Sequence, residues 1–592
     1  MMYKQRKSCN LYADFETTAF AQYLKDGYTR VYLGGFIDDT QDDITVFGSI
    51  QGFFKSLKPY TELYTDLNIY FHNLAFDVSF ILYYLNEQGY THHIRADGEW
   101  ELPYKTYDLF INMQGQIYTL TVMHNGCRLT FKDSLKKLPT NIKSLGTFVG
   151  LDKLDETHNY DEFKPIYTSR DEVPEEEIKY LRNDILILRK AMQLYSKDSN
   201  FLNTLTSASA SYNTWLRMYF KDHKFNSCVY FKQIQELKDK LSQLLPVVDN
   251  EEIQGIINKS YRGGITYVNP KYQAKMINGV SYDVNSLYPY AMINCAYPCG
   301  QPYFVTPEDY NPQKLQIITF FTPDCECNST IPFVPTKKVG HSYEYSKQLK
   351  GGIYTLWVEE YELFLEHYTS TDKPAIINIV QFDEIYGLFD EYINKYAQLK
   401  GSTTDKAERY MIKLRLNGLG GKFGTKTHQI KKRCIGNCNK YGGLKFELEK
   451  PEVGEYYYRA ISSRMTSRAR CVLIRAISHN FERFVYCDTD SLYLTGYETP
   501  IGIDIHSSKL GAFKFEHKFD KGKFLHTKCY VIHDENTDEL CHSIAGCSAN
   551  AKKQITLDNF DMGLVVKHAN LKALQVKGGV VLAPVDFTIK EI

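Results

Sequence analysis

Two aspartates, Asp488 and Asp490, lie in the segment YCDTDS between two apolar runs that have the composition of strands. Asp, Thr and Ser favour turns, because their side chains hydrogen-bond the neighbouring backbone. We therefore expect a hairpin whose turn presents both carboxylates to one cation. Carboxylate oxygens suit a hard ion such as Mg²⁺. An acidic surface turn without a metal is the alternative for these residues alone.

A third aspartate, Asp283, ends a β-rich run in the segment VSYDVNSLYP, where Pro289 stops regular structure. Beside Asp488 and Asp490 it would complete a site for two metal ions about 3.5–4 Å apart, as used for in-line displacement at phosphorus. We count Val284, the next residue, among the metal ligands. Phosphoryl transfer is the chemistry that this set of residues indicates.

Tyr288 lies between Asp283 and Pro289 and is expected beneath the sugar of an incoming nucleotide. A bulky ring there would clash with a ribose 2′-hydroxyl and would therefore select deoxyribonucleotides. Packing in the core is the alternative for a buried aromatic residue at this position.

A helix-like segment over 406–417 carries Arg409, Lys413 and Asn417 at helical spacing, so that they share one face. Such a face can grip a triphosphate, with Arg409 as a bidentate fork and Lys413 as a point charge. Solvated helix charge is the alternative. The segment continues into glycines at 418–424, which allow a base pair to approach the backbone closely.

The first third of the chain holds a second set of acids. Asp14 and Glu16 alternate along a strand-like run and share one face, so they can bind a metal ion together. Asp77 follows in the segment FHNLAFD, and Tyr180 and Asp184 lie one helical turn apart. The four acids are expected to converge on a second metal centre.

The motifs D-x-x-S-L-Y-P, K-L-x-L-N-x-L-x-G-K-F and Y-C-D-T-D-S occur in this order. They resemble the three core motifs of family B DNA polymerases, which implies a DNA-directed DNA polymerase with two Mg²⁺ ions, or Mn²⁺, in each active centre. The segments 261–264 (YRGG), 466–470 (TSRAR), 528–530 (KCY) and 578–590 resemble the protein-primed branch of small phages with linear, terminal-protein-capped genomes. The chain departs from the family where Gly418 and Gly420 replace the usual Ser and Tyr near the nucleotide pocket.

The D-x-E, N-x-x-x-D and Y-x-x-x-D motifs of the first third are similar to those of DnaQ-like, RNase H-related 3′–5′ proofreading exonucleases. The resemblance implies that Tyr180 orients the attacking water, and Lys153 is the nearest match to the family's catalytic lysine. It also implies a set of residues that contact DNA in and between the two centres. They are Thr17, His72, Asn73, Phe76, Phe80, Ser134, Leu135, Tyr261, Gly263, Gly264, Thr466, Arg470, Lys528 and Tyr530.

The implied fold is α/β and α+β multidomain, with an RNase H-like (DnaQ-like) exonuclease domain followed by a right-hand polymerase domain of palm, fingers and thumb. The expected ranges are 1–215 for the exonuclease, 216–260 for a helical connection, 261–302 for the first part of the palm, 303–390 for an insertion that docks the terminal protein, 384–424 for the fingers, 425–458 for a second insertion, 459–554 for the second part of the palm and 555–592 for the thumb. The second insertion is expected to encircle downstream DNA and to support processivity and strand displacement.

Length and composition agree with a large enzyme of several domains, since the chain has 592 residues and is 43% hydrophobic. No apolar run reaches the roughly 18 residues of a membrane span, and no apolar signal region follows the first residues. We therefore expect no membrane partner and a place in the cytoplasm of the host bacterium. The 14 cysteines are expected to be reduced thiols, although Cys434 and Cys438 have the spacing of half a zinc site.

The formal net charge is zero, which by itself argues weakly against binding nucleic acid. Basic stretches such as 422–432 (KFGTKTHQIKK) can still neutralise phosphates. The expected partners are template and primer DNA, dNTPs and a terminal protein, with the chain a monomer or a heterodimer with that protein. The alternatives are a nucleic-acid-primed polymerase of the same family and a catalytically inactive DNA-binding or scaffold protein. Every expected acid is present, which opposes the inactive protein.

Overall fold

The computed structural model describes residues 7–590, apart from 95–100, 155–162, 166, 168–169, 197, 223–228 and 340–341. Two large β-sheets carry the acidic motifs, one in the first third of the chain and one built from its middle and later parts. Within the described ranges, no helix is long and apolar enough to cross a lipid bilayer.

The first third of the chain forms an α/β unit. Its elements are β1 (Ser8–Thr17), α1 (Phe20–Asp26), β2 (Val31–Asp38), β3 (Thr45–Phe47), α2 (Ile50–Ser56), α3 (Lys58–Leu63), β4 (Asp66–Phe71), α4 (Leu74–Glu87), β5 (Thr91–His92), β6 (Thr106–Ile111), β7 (Ile117–His124), β8 (Cys127–Asp133), α5 (Ile142–Val149) and α6 (Glu175–Tyr195). The strands form the N-terminal sheet, in the order β3-β2-β1-β4-β8-β7-β6-β5. β1 runs parallel to β4 and antiparallel to β2.

Helix α6 packs closely on the N-terminal sheet because β2 carries a glycine at the contact. A side chain at Gly35 would come within 3.2 Å of Ile185 and 3.3 Å of Leu181. Leu181, Ile185 and Leu188 recur at helical spacing and are buried, so this apolar stripe of α6 faces the core. Because α6 also contacts β1, its residue Asp184 is brought to the acids of that strand.

The middle of the chain supplies helices and a smaller sheet. Its elements are α7 (Ser199–Leu202), α8 (Ser207–Tyr219), α9 (Tyr230–Leu244), α10 (Glu251–Ser260), β9 (Thr266–Val268), β10 (Met276–Val284), α11 (Leu287–Met292), β11 (Tyr297–Val305), β12 (Gln316–Thr322), β13 (Cys325–Cys327), β14 (Pro335–Val339), β15 (Ser342–Tyr345), β16 (Gln348–Leu349), β17 (Gly352–Trp357), α12 (Val358–His367), β18 (Tyr368–Ser370) and β19 (Ala375–Ile385). Strands β11, β19, β12 and β17 pair in that order.

The rest of the chain completes the second large sheet. Its elements are α13 (Asp390–Ser402), α14 (Lys406–Phe423), β20 (His428–Gln429), β21 (Lys432–Gly436), β22 (Lys445–Leu448), β23 (Glu452–Val453), α15 (Ala460–His479), β24 (Phe484–Asp488), β25 (Ser491–Thr495), β26 (Phe513–His526), β27 (Cys529–Asp534), β28 (Glu539–Ile544), α16 (Ala549–Lys552), β29 (Val565–Val576) and β30 (Gly579–Thr588). The central sheet has the order β28-β27-β26-β10-β25-β24-β9. The helix expected over 406–417 is part of α14, and the range 384–424 expected for the fingers starts within β19, which continues to Ile385.

Two candidate active sites

Four acids of the first unit come together, and we call them the N-terminal acid cluster: Asp14, Glu16, Asp77 and Asp184. Asp14 and Glu16 alternate along β1 and share one of its faces, Asp77 lies in the first turn of α4, and Asp184 lies on α6. The exposed fractions of Glu16, Asp77 and Asp184 are 8%, 4% and 7%. The convergence expected from the sequence is present.

The charges of the N-terminal acid cluster act on one another. Burial, and then the negative charges of Asp77, Glu16 and Asp184, hold the pKa of Asp14 well above its ordinary value. Burial and the charge of Asp184 raise the pKa of Glu16 to about 7. Burial raises the pKa of Asp77 as well. Buried like charges are unfavourable unless protons or cations neutralise them, so the cluster is suited to hold a cation.

Lys153 lies beside the N-terminal acid cluster. Its Nζ is 3.0 Å from Asp184 Oδ2 and 5.1 Å from the centre of the Tyr180 ring. The segment around it is tied to α6, since Leu154 N–H donates to Asn183 Oδ1 at 3.1 Å. Lys153 therefore lies in contact with this cluster, and its role as the lysine of this centre stays a prediction.

Five of the predicted DNA contacts near this cluster keep some surface exposed. They are Thr17, His72, Asn73, Phe76 and Leu135. Asn73 has a left-handed backbone, with φ of 73°, just before α4, and its N–H donates to Asp133 Oδ1 at 3.1 Å. The same carboxylate oxygen accepts from Leu135 N–H at 3.0 Å, so Asp133 holds both loops in place.

Four other predicted DNA contacts are buried, with exposed fractions of 4% or less: Phe80, Ser134, Thr466 and Arg470. Ser134 Oγ donates to the carbonyl of Phe71 at 2.9 Å. Phe80 packs against β30, where a side chain at Gly579 would meet its ring. In this structure these four side chains pack inside the protein, and their contact with DNA stays a prediction.

The motif hairpin of the central sheet brings three aspartates together, and we call them the central acid cluster: Asp283, Asp488 and Asp490. Asp488 ends β24, Asp490 lies in the turn, and Asp283 pairs with Ser491 across β10 and β25. Thr489 closes the turn with φ of 61°. Val284 N–H donates to the carbonyl of Asp490 at 2.8 Å, which fixes β10 to the turn. The predicted hairpin is confirmed.

The central acid cluster is less buried and has cationic neighbours. Burial, followed by the charges of Asp490 and Glu516, raises the pKa of Asp283 to about 7, while Lys413 and Lys514 oppose the rise. Burial also raises the pKa of Asp490, and Lys413 again opposes it. Lys413 of α14 is therefore close enough to act on both carboxylates.

The basic face of α14 is present as predicted, since Arg409, Lys413 and Asn417 are all exposed. Arg409 Nη1 donates to the carbonyl of Lys400 at 2.9 Å. Lys400, on α13, donates to Ser286 Oγ at 2.9 Å and was missed by the sequence analysis. Lys514, which pairs with Asp283 across β10 and β26, was missed too. Neither lysine belongs to a local sequence motif, because α13 and β26, which carry them, are distant in sequence from the aspartates of the central acid cluster.

The two glycines that depart from the family pattern lie on α14 against other helices. A side chain at Gly420 would come within 2.2 Å of Met465 Sδ and 3.5 Å of Met292 Sδ. A side chain at Gly418 would come within 3.0 Å of Ser211 Oγ. Met465 thus occupies the space next to Gly420, and it is almost fully buried.

Tyr288 lies on α11 and is half-buried. Burial raises its pKa, while Arg470 and a hydrogen bond from the backbone of Gly264 oppose the rise. Gly264 is itself in close contact with the motif hairpin, since a side chain there would meet Thr489 at 2.6 Å. Gly263 next to it is exposed. The YRGG segment therefore lies between Tyr288 and the central acid cluster.

Arg470 holds the YRGG segment in place through its backbone carbonyls. Its guanidinium makes a bidentate pair with Glu360, at 2.8 Å and 2.9 Å, and its Nη1 donates to the carbonyls of Arg262 at 2.7 Å and Gly263 at 2.9 Å. Tyr261 stacks under Arg459, whose guanidinium is 5.2 Å from the ring centre. A fully buried, fully bonded arginine of this kind fixes backbone position.

Lys528 and Tyr530 flank the central acid cluster on the β26–β27 hairpin. Lys528 is exposed, and its Nζ is 2.5 Å from Asp488 Oδ2. Its N–H donates to the Tyr486 hydroxyl at 3.1 Å. The hydroxyls of Tyr530 and Tyr493 are 2.6 Å apart. The hairpin that carries these two predicted primer contacts is thus bonded to the motif hairpin.

Comparison with known proteins agrees with this arrangement. The family model described as DNA polymerase type B, organellar and viral, matches residues 148–509. The DNA polymerase of Bacillus phage phi29 is 31% identical over 614 residues, covering 98% of each chain. The structure of phi29 DNA polymerase complexed with primer-template DNA matches with a TM-score of 0.85 and 27% identity, over 99% of this chain and 100% of that one. The structure of phi29 DNA polymerase complexed with primer-template DNA and incoming nucleotide substrates matches with a TM-score of 0.82 and 28% identity. That match covers 98% of this chain and 100% of the other.

The chain therefore belongs to the type B DNA polymerases of organelles and viruses. It is a DNA-directed DNA polymerase similar to that of phage phi29. The family resemblance and the mixed α/β multidomain fold expected from the sequence are confirmed.

Proposed function

We propose that the chain extends a DNA primer at the central acid cluster and removes 3′-terminal nucleotides at the N-terminal acid cluster. The observation that supports this most strongly is the pair of carboxylate clusters on two different sheets. Both offer oxygen donors, which suit Mg²⁺, with Mn²⁺ as a substitute. Among the described residues, the buried Asp77 Oδ1 has no hydrogen-bond partner and can serve as one such donor. Two bound ions would supply an activated hydroxyl nucleophile and charge neutralisation on the leaving group.

In polymerisation, the triphosphate lies on the exposed face of α14. Lys413 is the nearest cation of that face, because its charge acts on Asp283 and Asp490. Arg409 can fork onto phosphate oxygens, and Lys528 and Tyr530 hold the primer end. Primer extension with the purified chain, dNTPs and Mg²⁺ tests this, and template-directed products are expected. A folded preparation that incorporates no nucleotide would contradict the proposal.

Tyr288 selects the sugar of the incoming nucleotide. It is half-buried beside the YRGG segment, and its contact with the backbone of Gly264 limits where the ring can go. A ribose 2′-hydroxyl would meet that ring. Tyr288→Val should therefore admit ribonucleotides, measured as the ratio of kcat/KM for dNTP and rNTP. An unchanged ratio would show that Tyr288 packs in the core and does not select the sugar.

In the 3′–5′ exonuclease reaction, the N-terminal acid cluster would hold the divalent ions that bind the terminal phosphodiester. Tyr180 and Lys153 lie together beside Asp184, where they can orient the attacking water and balance charge. Phe76 and Asn73 keep exposed surface for the single strand. A base stacked on an aromatic ring contributes roughly 1–3 kcal/mol whatever its identity, which suits removal of any mismatched base.

The insertion at 425–458 closes a ring around DNA. Cys434 N–H donates to His92 Nδ1 at 3.1 Å, which joins the insertion to the N-terminal unit. Lys577 N–H donates to the carbonyl of Tyr441 at 3.1 Å, which joins it to the β29–β30 hairpin. Thr29 N–H donates to the carbonyl of Lys577 at 3.0 Å, which joins the hairpin back to the N-terminal unit. A closed ring adds a topological barrier to dissociation and so supports processivity and strand displacement.

Deletion of about 428–450 tests the ring. On a single-primed circle under single-binding conditions, products should shorten, while addition of the first few nucleotides stays nearly normal. The first additions serve as the internal control, because they need the central acid cluster and not the ring. Full-length strand-displaced products from the deletion variant would eliminate the ring.

Synthesis starts on a terminal protein docked by region 303–390, in the cytoplasm of the bacterial host. A Ser, Thr or Tyr hydroxyl of that protein attacks the α-phosphorus of a dNTP, a phosphoester bond forms and pyrophosphate leaves, as with a primer 3′-hydroxyl. The similarity to the DNA polymerase of phage phi29 supports this branch of the family. A co-expressed terminal protein should be labelled by radioactive dNMP. Failure to label it, with normal extension of DNA primers, would favour the nucleic-acid-primed alternative.

A further inference from the structure

Three metal-binding side chains lie on three adjacent strands at the edge of the central sheet. They are His517 on β26, Asp534 on β27 and Cys541 on β28. One ligand atom from each lies within 4.8 Å of the other two. Asp534 pairs with Phe519, which is two residues from His517, and Cys541 pairs with Ile532, which is two residues from Asp534. Because residues two apart on a strand share a face, all three side chains lie on one face of the sheet.

In this cluster Asp534 is buried, whereas His517 and Cys541 are partly exposed to solvent. Asp534 is 3% exposed; its Oδ2 lies 2.5 Å from His517 Nδ1, and its Oδ1 accepts from Asn536 N–H at 2.8 Å. The His517 side chain is 29% exposed, and Cys541 is half-buried. An ion can therefore reach the three donors from solvent without a change of fold.

A buried hydroxyl lies next to His517 on the same face. Ser281 of β10 pairs directly with His517 in the β10–β26 register and is fully buried. Within the part of the chain that the structure describes, Ser281 Oγ has no hydrogen-bond partner. Buried hydroxyls are nearly always bonded, so this group requires a partner such as an ordered water.

We propose that His517, Asp534 and Cys541 form a mononuclear zinc site, with a water as fourth ligand. Imidazole, carboxylate and thiolate together favour Zn²⁺, whereas the oxygen-only acid clusters favour Mg²⁺. Donor atoms around tetrahedral zinc are about 3.3–3.7 Å apart, from bond lengths of about 2.0–2.3 Å. The three donors lie within 4.8 Å of one another, so zinc binding draws them together by roughly 1 Å. Zinc binding displaces the thiol proton of Cys541 to solvent.

The site lies outside both acid clusters and goes beyond the proposed function. It ties β26, β27 and β28 together, and the hairpin between the first two carries Lys528 and Tyr530. A metal bridge across these strands would hold the hairpin at the central acid cluster without entering the reaction. The zinc is thus a positioning element of the sheet.

Replacement of zinc by Co²⁺, in excess Mg²⁺ to occupy the acid clusters, tests the site. A thiolate bound to Co²⁺ gives a near-ultraviolet charge-transfer band that oxygen ligands do not give. We expect this band at one equivalent per chain, its loss in Cys541→Ser and its retention in Cys547→Ser. Cys547 is a matched control, because it is a half-buried thiol outside the cluster. Absence of the band from the native chain, or its persistence in Cys541→Ser, would overturn the proposal.

His517→Gln provides a second test if Cys541→Ser does not fold, because His517 is partly exposed. Zinc affinity is measured by competition with a chromophoric chelator. Loss of one of three protein ligands should weaken it by at least about tenfold, since even outer-shell changes cost about 10–100-fold. Primer extension with Mg²⁺ should continue at a reduced rate, because the hairpin that carries Lys528 and Tyr530 loses its metal bridge. An unchanged zinc affinity in a folded His517→Gln variant would also overturn the site.

Discussion

The N-terminal and central acid clusters use the same side-chain chemistry in different surroundings. In the first, the side chains of Lys153 and Asp184 are 19% and 9% exposed, whereas in the second those of Lys528 and Asp488 are 56% and 22% exposed. A strand and two helices enclose the first cluster, while a hairpin presents the second. Under the proposed function, the enclosed site receives the 3′ end of a single strand and the open site receives a primer-template duplex. Similar carboxylates can therefore serve different substrates when different elements support them.

The largest expected effect is the loss of primer extension when an aspartate of the central acid cluster is replaced. Asp490→Asn removes one carboxylate charge at unchanged size, so metal-assisted stabilisation of several kcal/mol should be lost. At about 1.4 kcal/mol for each factor of ten, primer extension should fall at least about 1,000-fold. Steady-state incorporation of dNTPs measures it. Retention of more than about a tenth of the native rate would show that Asp490 is not a metal ligand.

Local patterns were sufficient to predict the acids but not their surroundings. Asp14 and Glu16 follow from strand alternation, and Asp488 and Asp490 follow from turn chemistry. The burial of Arg470 could not be predicted, because its partner Glu360 lies in the 303–390 insertion, far away in sequence. The positions of Lys400 and Lys514 likewise depend on tertiary packing and strand register. The helix over 406–417 was predicted from periodicity and is present as part of α14.

Lys153 and Lys528 distinguish the two acid clusters, because the first lysine is partly buried and the second is exposed. Lys153→Ala should slow degradation of single strands by about 100-fold, because a partly buried cation stabilises developing charge strongly. Lys528→Ala should slow extension only about tenfold, because exposed ion pairs are weak. Lys→Arg at each position is the conservative control and should restore part of the rate. A slower extension with unchanged degradation in Lys153→Ala would reverse the assignment.

The replacement of the usual tyrosine by Gly420 should be linked to Met465. Gly420→Tyr inserts a ring where Met465 Sδ lies 2.2 Å from the added Cβ, so it should destabilise the fold by about 1–3 kcal/mol. Adding Met465→Ala makes room and should restore most of the free energy of unfolding. Denaturant titration of both variants measures the coupling. Equal destabilisation in the single and double variants would show that positions 420 and 465 are not energetically coupled.

The smallest expected effect is a pH dependence of stability. Folding raises the pKa of Glu16 and Asp283 to about 7 by burial, so their protonated forms favour the fold. Without divalent metal, that stability is complete below about pH 4 and is lost as pH rises through 7. Mg²⁺ should therefore raise Tm by more at pH 8 than at pH 5.5. Asp77→Asn removes one of the buried like charges and should reduce the difference, whereas Lys514→Ala removes a charge that opposes the rise in the pKa of Asp283 and should increase it.

The most direct test of two separate centres measures both activities on one labelled primer-template with a mismatched 3′ end. Asp14→Ala combined with Asp77→Ala should remove degradation and keep extension of a matched primer within about twofold. Asp490→Asn should do the reverse, with the fold of both variants checked by circular dichroism. Loss of both activities together in either folded variant would contradict the account.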